Sequence, residues 1–357
     1  MKRTGLMVAL LSLLVIVSVA LASCGATVTT QATTATTAPA TTSSTSGSTD
    51  TTAAPPADAV KIKVVSFVAQ NNTMNDGLKM LIDKVKEKTN GAVVIEWGGG
   101  PESIPAQQLA EAVRTGITDM AWIPHTYSVS QIPVLEGAKL STIMPWEERE
   151  KGVTEFYAKL YREKMNVQLL GSGTPGLTYN LYTTFPVSTV ADFKGKTIRG
   201  TPAYKTFVEA LGAAVVTTDA GEVYTALERN LVAGYGWPSV GISDFGWQEV
   251  TKYVVEPAFY QVDVCGLMAA AVWDKLSPEL QGQIVEAMEE VEREAYDHYQ
   301  KLIKEDREKI VAAGVQVSEL SGEEATKYLE TAYNSNWDSL LKAVPTEAGE
   351  LKQLLGQ

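Results

Sequence analysis

The sequence predicts an α/β protein of two lobes, joined by hinge strands and crossed by a long helix near the C-terminus. Three observations carry this. Residues 60–123 follow a βαβαβ order, which implies a mostly parallel sheet with right-handed crossovers. A second α/β series runs over about residues 177–253, entered and left through extended apolar segments, and two passages make a hinge. Residues 277–313 hold one uninterrupted helical stripe, about 50 Å long at roughly 1.5 Å per residue, longer than a domain is wide.

Each element has a local reason. Residues 60–68, with K-I-K-V-V-S-F-V, alternate as a strand. Thr73 and Asp76 stand at capping-box spacing before a helix over about 75–89. A strand at 93–97 closes on Gly98, Gly99, Gly100 and Pro101, a helix at 107–115 stops at Gly116, and 117–123 is a third strand. A helix at 153–165, a strand at 167–171 and an extended stretch at 177–185 follow. Further on, Asp219 and Glu222 cap a helix with the stripe Val223, Leu227 and Leu231. Residues 258–273 offer a strand long enough to run back through both lobes. Ser277 is an N-cap with Pro278 at the first helical position, and Ile284, Met288, Val291, Ala295, Tyr299, Leu302 and Ile310 keep the long helix's stripe until Gly314. A coiled-coil partner helix is the alternative for this stripe. Ser321 and Glu324 cap a last helix that packs through Tyr328, Leu329, Ala332 and Tyr333.

The N-terminus has the three parts of a signal peptide: Lys2 and Arg3, an apolar run to about Leu21, then small residues. Leu21-Ala22-Ser23-Cys24-Gly25 resembles the bacterial lipobox, in which the cysteine takes a diacylglyceryl group; cleavage beside a chance cysteine is the alternative. The Thr, Ser and Ala-rich segment that follows cannot bury enough apolar surface to order itself. It is a tether. The expected organisation is a leader at 1–23, a tether at 24–58, a first lobe at 59–178, a second lobe at 179–257, and hinge strand, spanning helix and C-terminal helices at 258–357. Leader, lipid and tether place the folded part outside the cytoplasm, attached to the membrane through the N-terminal lipid only. The net charge is −12, more negative still without Lys2 and Arg3, so nucleic acid is not an electrostatic partner.

Enzyme chemistry lacks its parts. There are two histidines and no H-E-x-x-H, C-x-x-C, G-x-S-x-G or Walker sequence, so no metal and no cofactor are expected. Gly171 to Gly176 spells G-x-G-x-x-G after a strand, but Pro175 and the extended L-T-Y-N-L-Y follow where a dinucleotide site needs a helix. With Cys24 lipidated, Cys265 has no disulfide partner, and its apolar run makes it a core thiol. His298, on the long helix, is a solvated or interdomain residue. His125 and neighbouring Tyr127 follow the third strand, where loops face the crevice of an open sheet; the alternative is that they shape the loop. Asn71 and Asn72 after the first strand are ligand donors or turn residues, and Glu102 and Ser103 also face the crevice by topology.

The most informative block starts at K-G-K-T-I-R-G-T-P. Arg199 ends a short strand facing Tyr235 and Trp237 in the glycine-rich A-G-Y-G-W-P. A guanidinium fork pairs bidentately with a carboxylate while aromatic faces cover an apolar body. With G-E-V-Y-T-A-L at 221–227, this order resembles the solute receptors of tripartite ATP-independent periplasmic (TRAP) transporters, and the resemblance covers nearly the whole mature chain. It implies a two-lobed fold like the type II periplasmic binding proteins, no enzymatic activity, a monomer, and an organic-acid cargo handed to TRAP membrane permease subunits. It assigns Arg199 the salt bridge to the carboxylate. Where relatives often carry a second polar contact this chain has Tyr179, and Ala233 and Trp237 replace an acidic residue and an asparagine. These departures favour a monocarboxylate with a bulky or apolar body. The expected ligand contacts are therefore Arg199, Tyr179, Tyr235, Trp237, Asn71 and His125. A receptor serving an ATP-driven importer or a sensor, and a lipid-anchored hydrolase, are the alternatives.

Overall fold

The computed structural model describes residues 58–357. The leader, Cys24 and all but the last residue of the tether lie outside them.

Two sheets organise the described chain. The first holds β1 (Val60–Ser66), β2 (Val93–Gly99), β3 (Met120–Pro124), β4 (Val167–Ser172) and, from much later, β10 (Val264–Ala269), in the order β2-β1-β3-β10-β4. The second holds β5 (Thr178–Thr183), β6 (Thr197–Gly200), β7 (Ala214–Thr217), β8 (Gly234–Pro238), β9 (Tyr253–Gln261) and β11 (Gln316–Glu319), in the order β11-β9-β5-β8-β6-β7. As the alternating pattern predicts, β1 pairs in parallel with β2 and β3. In the second sheet β6 pairs in parallel with β7 and β8.

Helices connect these strands. They are α1 (Asp76–Lys88), α2 (Ala106–Thr115), α3 (Pro145–Glu150), α4 (Val153–Met165), α5 (Lys205–Ala210), α6 (Val223–Glu228), α7 (Ala270–Trp273), α8 (Pro278–Ala312), α9 (Gly322–Ala343) and α10 (Pro345–Leu355). Among the described residues no helix is long and apolar enough to cross a membrane.

The spanning helix has its cap and its reach. Ser277 Oγ accepts from Leu280 N at 3.3 Å. On the side of the first sheet, Glu292 of α8 takes the Nε and Nη2 groups of Arg149 at 3.0 and 2.8 Å and accepts from Ser172 N at 3.0 Å. On the side of the second, Asp306 accepts from Gly241 N and from Ser243 Oγ, while Arg307 pairs with Glu256 of β9 at 2.5 Å. One rod thus grips both lobes.

Four local expectations are corrected. The turn before α1 is capped by Asn72, whose Oδ1 accepts from Met74 N at 2.9 Å, and not by Thr73. Leu231 lies past the end of α6 and is exposed, so the stripe stops at Leu227. Glu324 does not cap α9 but accepts from Val190 N at 2.6 Å. The long return strand starts earlier and breaks: β9 pairs with β5 and β11, β10 pairs with β3 and β4, and the last residues of 258–273 form α7. The break falls at Val262 and Asp263 because the chain changes sheets there.

The G-x-G-x-x-G run serves packing. It leaves β4 and enters β5 without a helix, and a Cβ on Gly173 would come within 2.0 Å of the Trp122 ring.

Candidate functional site

In open α/β sheets the C-terminal ends of parallel strands face the crevice, because the crossovers carry the chain back behind the sheet. Both lobes obey this toward the same space. Phe67 and Asn71 follow β1, Pro101 and Gln107 follow β2, and Tyr127 follows β3; opposite them stand Arg199 and Thr201 from β6, Thr218 and Asp219 after β7, and Trp237 and Pro238 at the end of β8. The cleft between them holds a cavity of about 630 Å³, open on one side to solvent. That is the size of an ordinary small-molecule site.

Arg199 is the chemical centre of this cavity, only 3% exposed. Its Nε and Nη2 donate to Thr218 O at 3.1 and 2.7 Å, and its Nη1 donates to Tyr204 Oη at 3.3 Å. Tyr204 in turn donates to Gly236 O at 2.6 Å, which holds the pair against β8. A guanidinium has five N–H donors, so one remains on each terminal nitrogen, the number a carboxylate accepts bidentately. No ion pair among the described residues includes Arg199. A cation buried without a counter-charge is costly, and an anion in the cavity relieves that cost.

Aromatic groups surround the guanidinium. Its central carbon lies 5.9 Å from the Trp237 ring. Tyr179, at the start of β5, packs on Tyr204 at 5.4 Å and on Phe259 at 6.2 Å. Burial raises the hydroxyl pKa of Tyr127 and Tyr179, and the positive charge of Arg199 offsets only part of that rise. Tyr127 comes from the first lobe and Tyr179 from the second sheet.

Of the six residues expected from sequence, Arg199, Tyr179, Trp237 and Asn71 line the cavity. Tyr235 and His125 do not. Alternation along β8 puts Tyr235 on the same face as Trp237, one step deeper, where it is fully buried, stacked on Tyr182 at 5.1 Å and bonded to Thr251 Oγ1 at 2.8 Å. Its contact with the site runs through Trp247, which touches Tyr235 at 5.0 Å and Trp237 at 4.8 Å. His125 turns the other way, with Nδ1 2.9 Å from Tyr161 Oη beside a separate cavity of about 30 Å³ that Glu148, Tyr157 and Asp263 also line. Burial pushes its imidazole down to about 3. His298 pairs instead with Asp76 at 2.9 Å.

The remaining candidates sort by their bonds. Asn72 has its Oδ1 on Met74 N, the turn role, although it also borders the cavity. Glu102 accepts from Gly100 N at 2.6 Å and Ser103 Oγ bonds Gly98 O at 3.4 Å, so both shape the loop after β2. Cys265 is buried with Sγ on Ile123 O at 3.2 Å, and burial pushes its thiol pKa up, away from reactivity.

Residues 64–342 match the model of the bacterial extracellular solute-binding proteins, family 7. The chain belongs to this family. It is a solute-binding receptor of the TRAP type, not an enzyme, in an extracytoplasmic family. The receptor is 24% identical to the 2,3-diketo-L-gulonate-binding periplasmic protein of Escherichia coli K12 over 297 residues, covering 80% of this chain and 88% of that one. It is 28% identical over 179 residues to a solute-binding protein of Chromohalobacter salexigens, an alignment that covers 48% of this chain and only about half of that relative, 52%. Its fold is that of a TRAP periplasmic solute-binding protein of Desulfovibrio salexigens solved with orotic acid, with a TM-score of 0.72, 23% identity, and coverage of 83% of this chain and 97% of that one.

Sequence reasoning about the receptor missed Tyr204, Phe67 and Phe245. Tyr204 had a signal, since it follows Arg199 by five residues within T-P-A-Y. Phe245 had none, because its place at the cavity depends on the loop after β8 being held by Asp306 of α8.

Proposed function

We propose that the receptor captures an organic acid with a bulky, apolar body and delivers it to a TRAP-type membrane permease. The observation that carries this is Arg199, a guanidinium buried without a carboxylate partner among the described residues, with two donors left for the cavity. The cargo's carboxylate takes those donors, and Trp237 and Tyr179 cover its body. A ligand that touches Tyr127 in one lobe and Arg199 in the other binds the closed form better than the open one, and this difference in affinity drives closure. Exclusion of water from the closed cleft strengthens the ion pair. Relatives named for 2,3-diketo-L-gulonate and solved with orotic acid support an acidic cargo. The receptor works as a monomer, held at the membrane by lipid on Cys24, and incorporation of labelled palmitate that persists in Cys24→Ala would refute that anchor.

Native mass spectrometry of protein purified without refolding tests the main claim. A carried-over acid, absent from Arg199→Ala, is the expected result. A carried-over neutral or cationic compound would overturn it.

A further inference from the structure

The cavity changes character with depth. Asn71, Gln107, Asp219 and Asp244 at its rim are polar and exposed. Its walls are aromatic. From the first lobe come Phe67 and Tyr127, their ring centroids 6.2 Å apart. From the second come Trp237, buried, and Phe245, exposed beside Asp244 at the mouth, edge to face at 5.5 Å. Both pairs line the same space, and the Arg199 guanidinium lies beside Trp237 at 5.9 Å. A carboxylate on Arg199 therefore leaves the body of its ligand between the two ring pairs.

Charge narrows the ligand further. Arg199 is the one cationic side chain among the residues that line the cavity, and Asp219 and Asp244 are acids. A second carboxylate would find no cationic partner and would meet like charge. A polyhydroxylated body would press its hydroxyls on ring faces and leave hydrogen bonds unmade. A flat ring loses nothing there and gains offset or edge-to-face contact beyond simple area burial.

We infer, on the reading that Arg199 holds a carboxylate, that the cargo is an aromatic monocarboxylate whose ring is clamped between Phe67 with Tyr127 and Trp237 with Phe245. Phe67 is then a specificity-determining residue. Half-buried at the end of β1, it is the first lobe's jaw, so that recognition of the ring and closure of the lobes are one event.

Calorimetry on the full chain tests this with benzoate, phenylacetate and 3-phenylpropionate, each beside its cyclohexyl counterpart, and with succinate. The best aromatic acid is expected to bind about tenfold tighter than its saturated counterpart. Succinate is expected to bind more weakly than either. Phe67→Leu should narrow the aromatic preference several-fold while both acids still bind, the other three rings keeping the remainder. A saturated acid or succinate bound as tightly as the aromatic acids, a preference unchanged in Phe67→Leu, or no aromatic acid bound at millimolar concentration each overturns the inference. Arg199→Ala separates the two claims: loss of all acid binding in that variant keeps the carboxylate reading even where the aromatic one fails, and retained binding removes the carboxylate reading itself.

Discussion

Arg199 gives two of its donors, Nε and Nη2, to a single acceptor, the Thr218 carbonyl, at 3.1 and 2.7 Å. The parallel register of β6 with β7 sets Arg199 beside Val216 and Gly200 beside Thr217, so the Thr218 carbonyl follows directly at the end of the neighbouring strand. Two hydrogen bonds to one carbonyl oxygen hold the guanidinium in a single plane and leave the outer donors of its terminal nitrogens uncommitted. Such preorganisation lowers the cost of binding.

Arg199→Ala is expected to weaken binding of the native acid by at least about a hundredfold, the scale of a buried charge pair losing one partner. The fold should survive, because the substitution removes a buried cation rather than stranding one. Isothermal calorimetry with the native ligand, beside a thermal melt, measures both; unchanged affinity would remove Arg199 from the site.

Trp237→Asn should shift preference toward smaller, more polar acids. The indole borders Arg199, Phe245 and Trp247, so its loss opens an apolar wall and costs about 3 kcal/mol of stability as well. An unaltered ligand profile would argue against the aromatic wall.

Stability should fall as pH rises from about 6.5 to 8. Burial pushes the carboxyls of Asp263 and Glu148 up to about 7. The folded chain holds protons there that the unfolded chain releases near pH 4, so this stabilisation is complete at low pH and lost as pH climbs through 7. His125, held down to about 3, acts in the opposite sense, but mainly up to its unfolded value of about 6.5. Its remaining effect is spent by about pH 7.5, and across the interval the two carboxyls outweigh it. Melting curves should show a Tm about 2–4 °C lower at pH 8 than at pH 6.5, with a shallower slope in Asp263→Asn. A Tm that rises across this interval would contradict the assignment.

Glu292→Ala should cost about 3–5 kcal/mol, since it strands the partly buried Arg149 and frees Ser172 N. Glu290→Ala, at an exposed carboxylate shared by Lys84 and Lys88, should cost much less, because solvent screens that cluster. Urea unfolding of both variants compares them, and equal losses would refute the difference in burial as the cause.

Helix α4 spans 153–165 as its pattern predicts because its signals are local: Gly152 at φ 80° opens it and Asn166 at φ 55° closes it. The same holds for Ser277 and Pro278 before α8 and for Gly116 after α2. The β9 to β10 break was not legible, since the apolar run 258–273 is continuous and only its partners in two different sheets divide it. Tyr235 and Trp237 share one strand face by alternation, yet which of them meets the cavity depends on Thr251 and Trp247 from a later segment. His125 was placed at a crevice-facing strand end, and Tyr161 of α4 turns its ring into the protein.

The sequence by itself determined the two α/β lobes, the spanning helix and the arginine, because periodicity, caps and residue type are properties of short stretches. Tertiary structure alone decided which aromatic rings stand beside that arginine and which lie beneath them. Depth is set by what packs on top, and what packs on top comes from elsewhere in the chain.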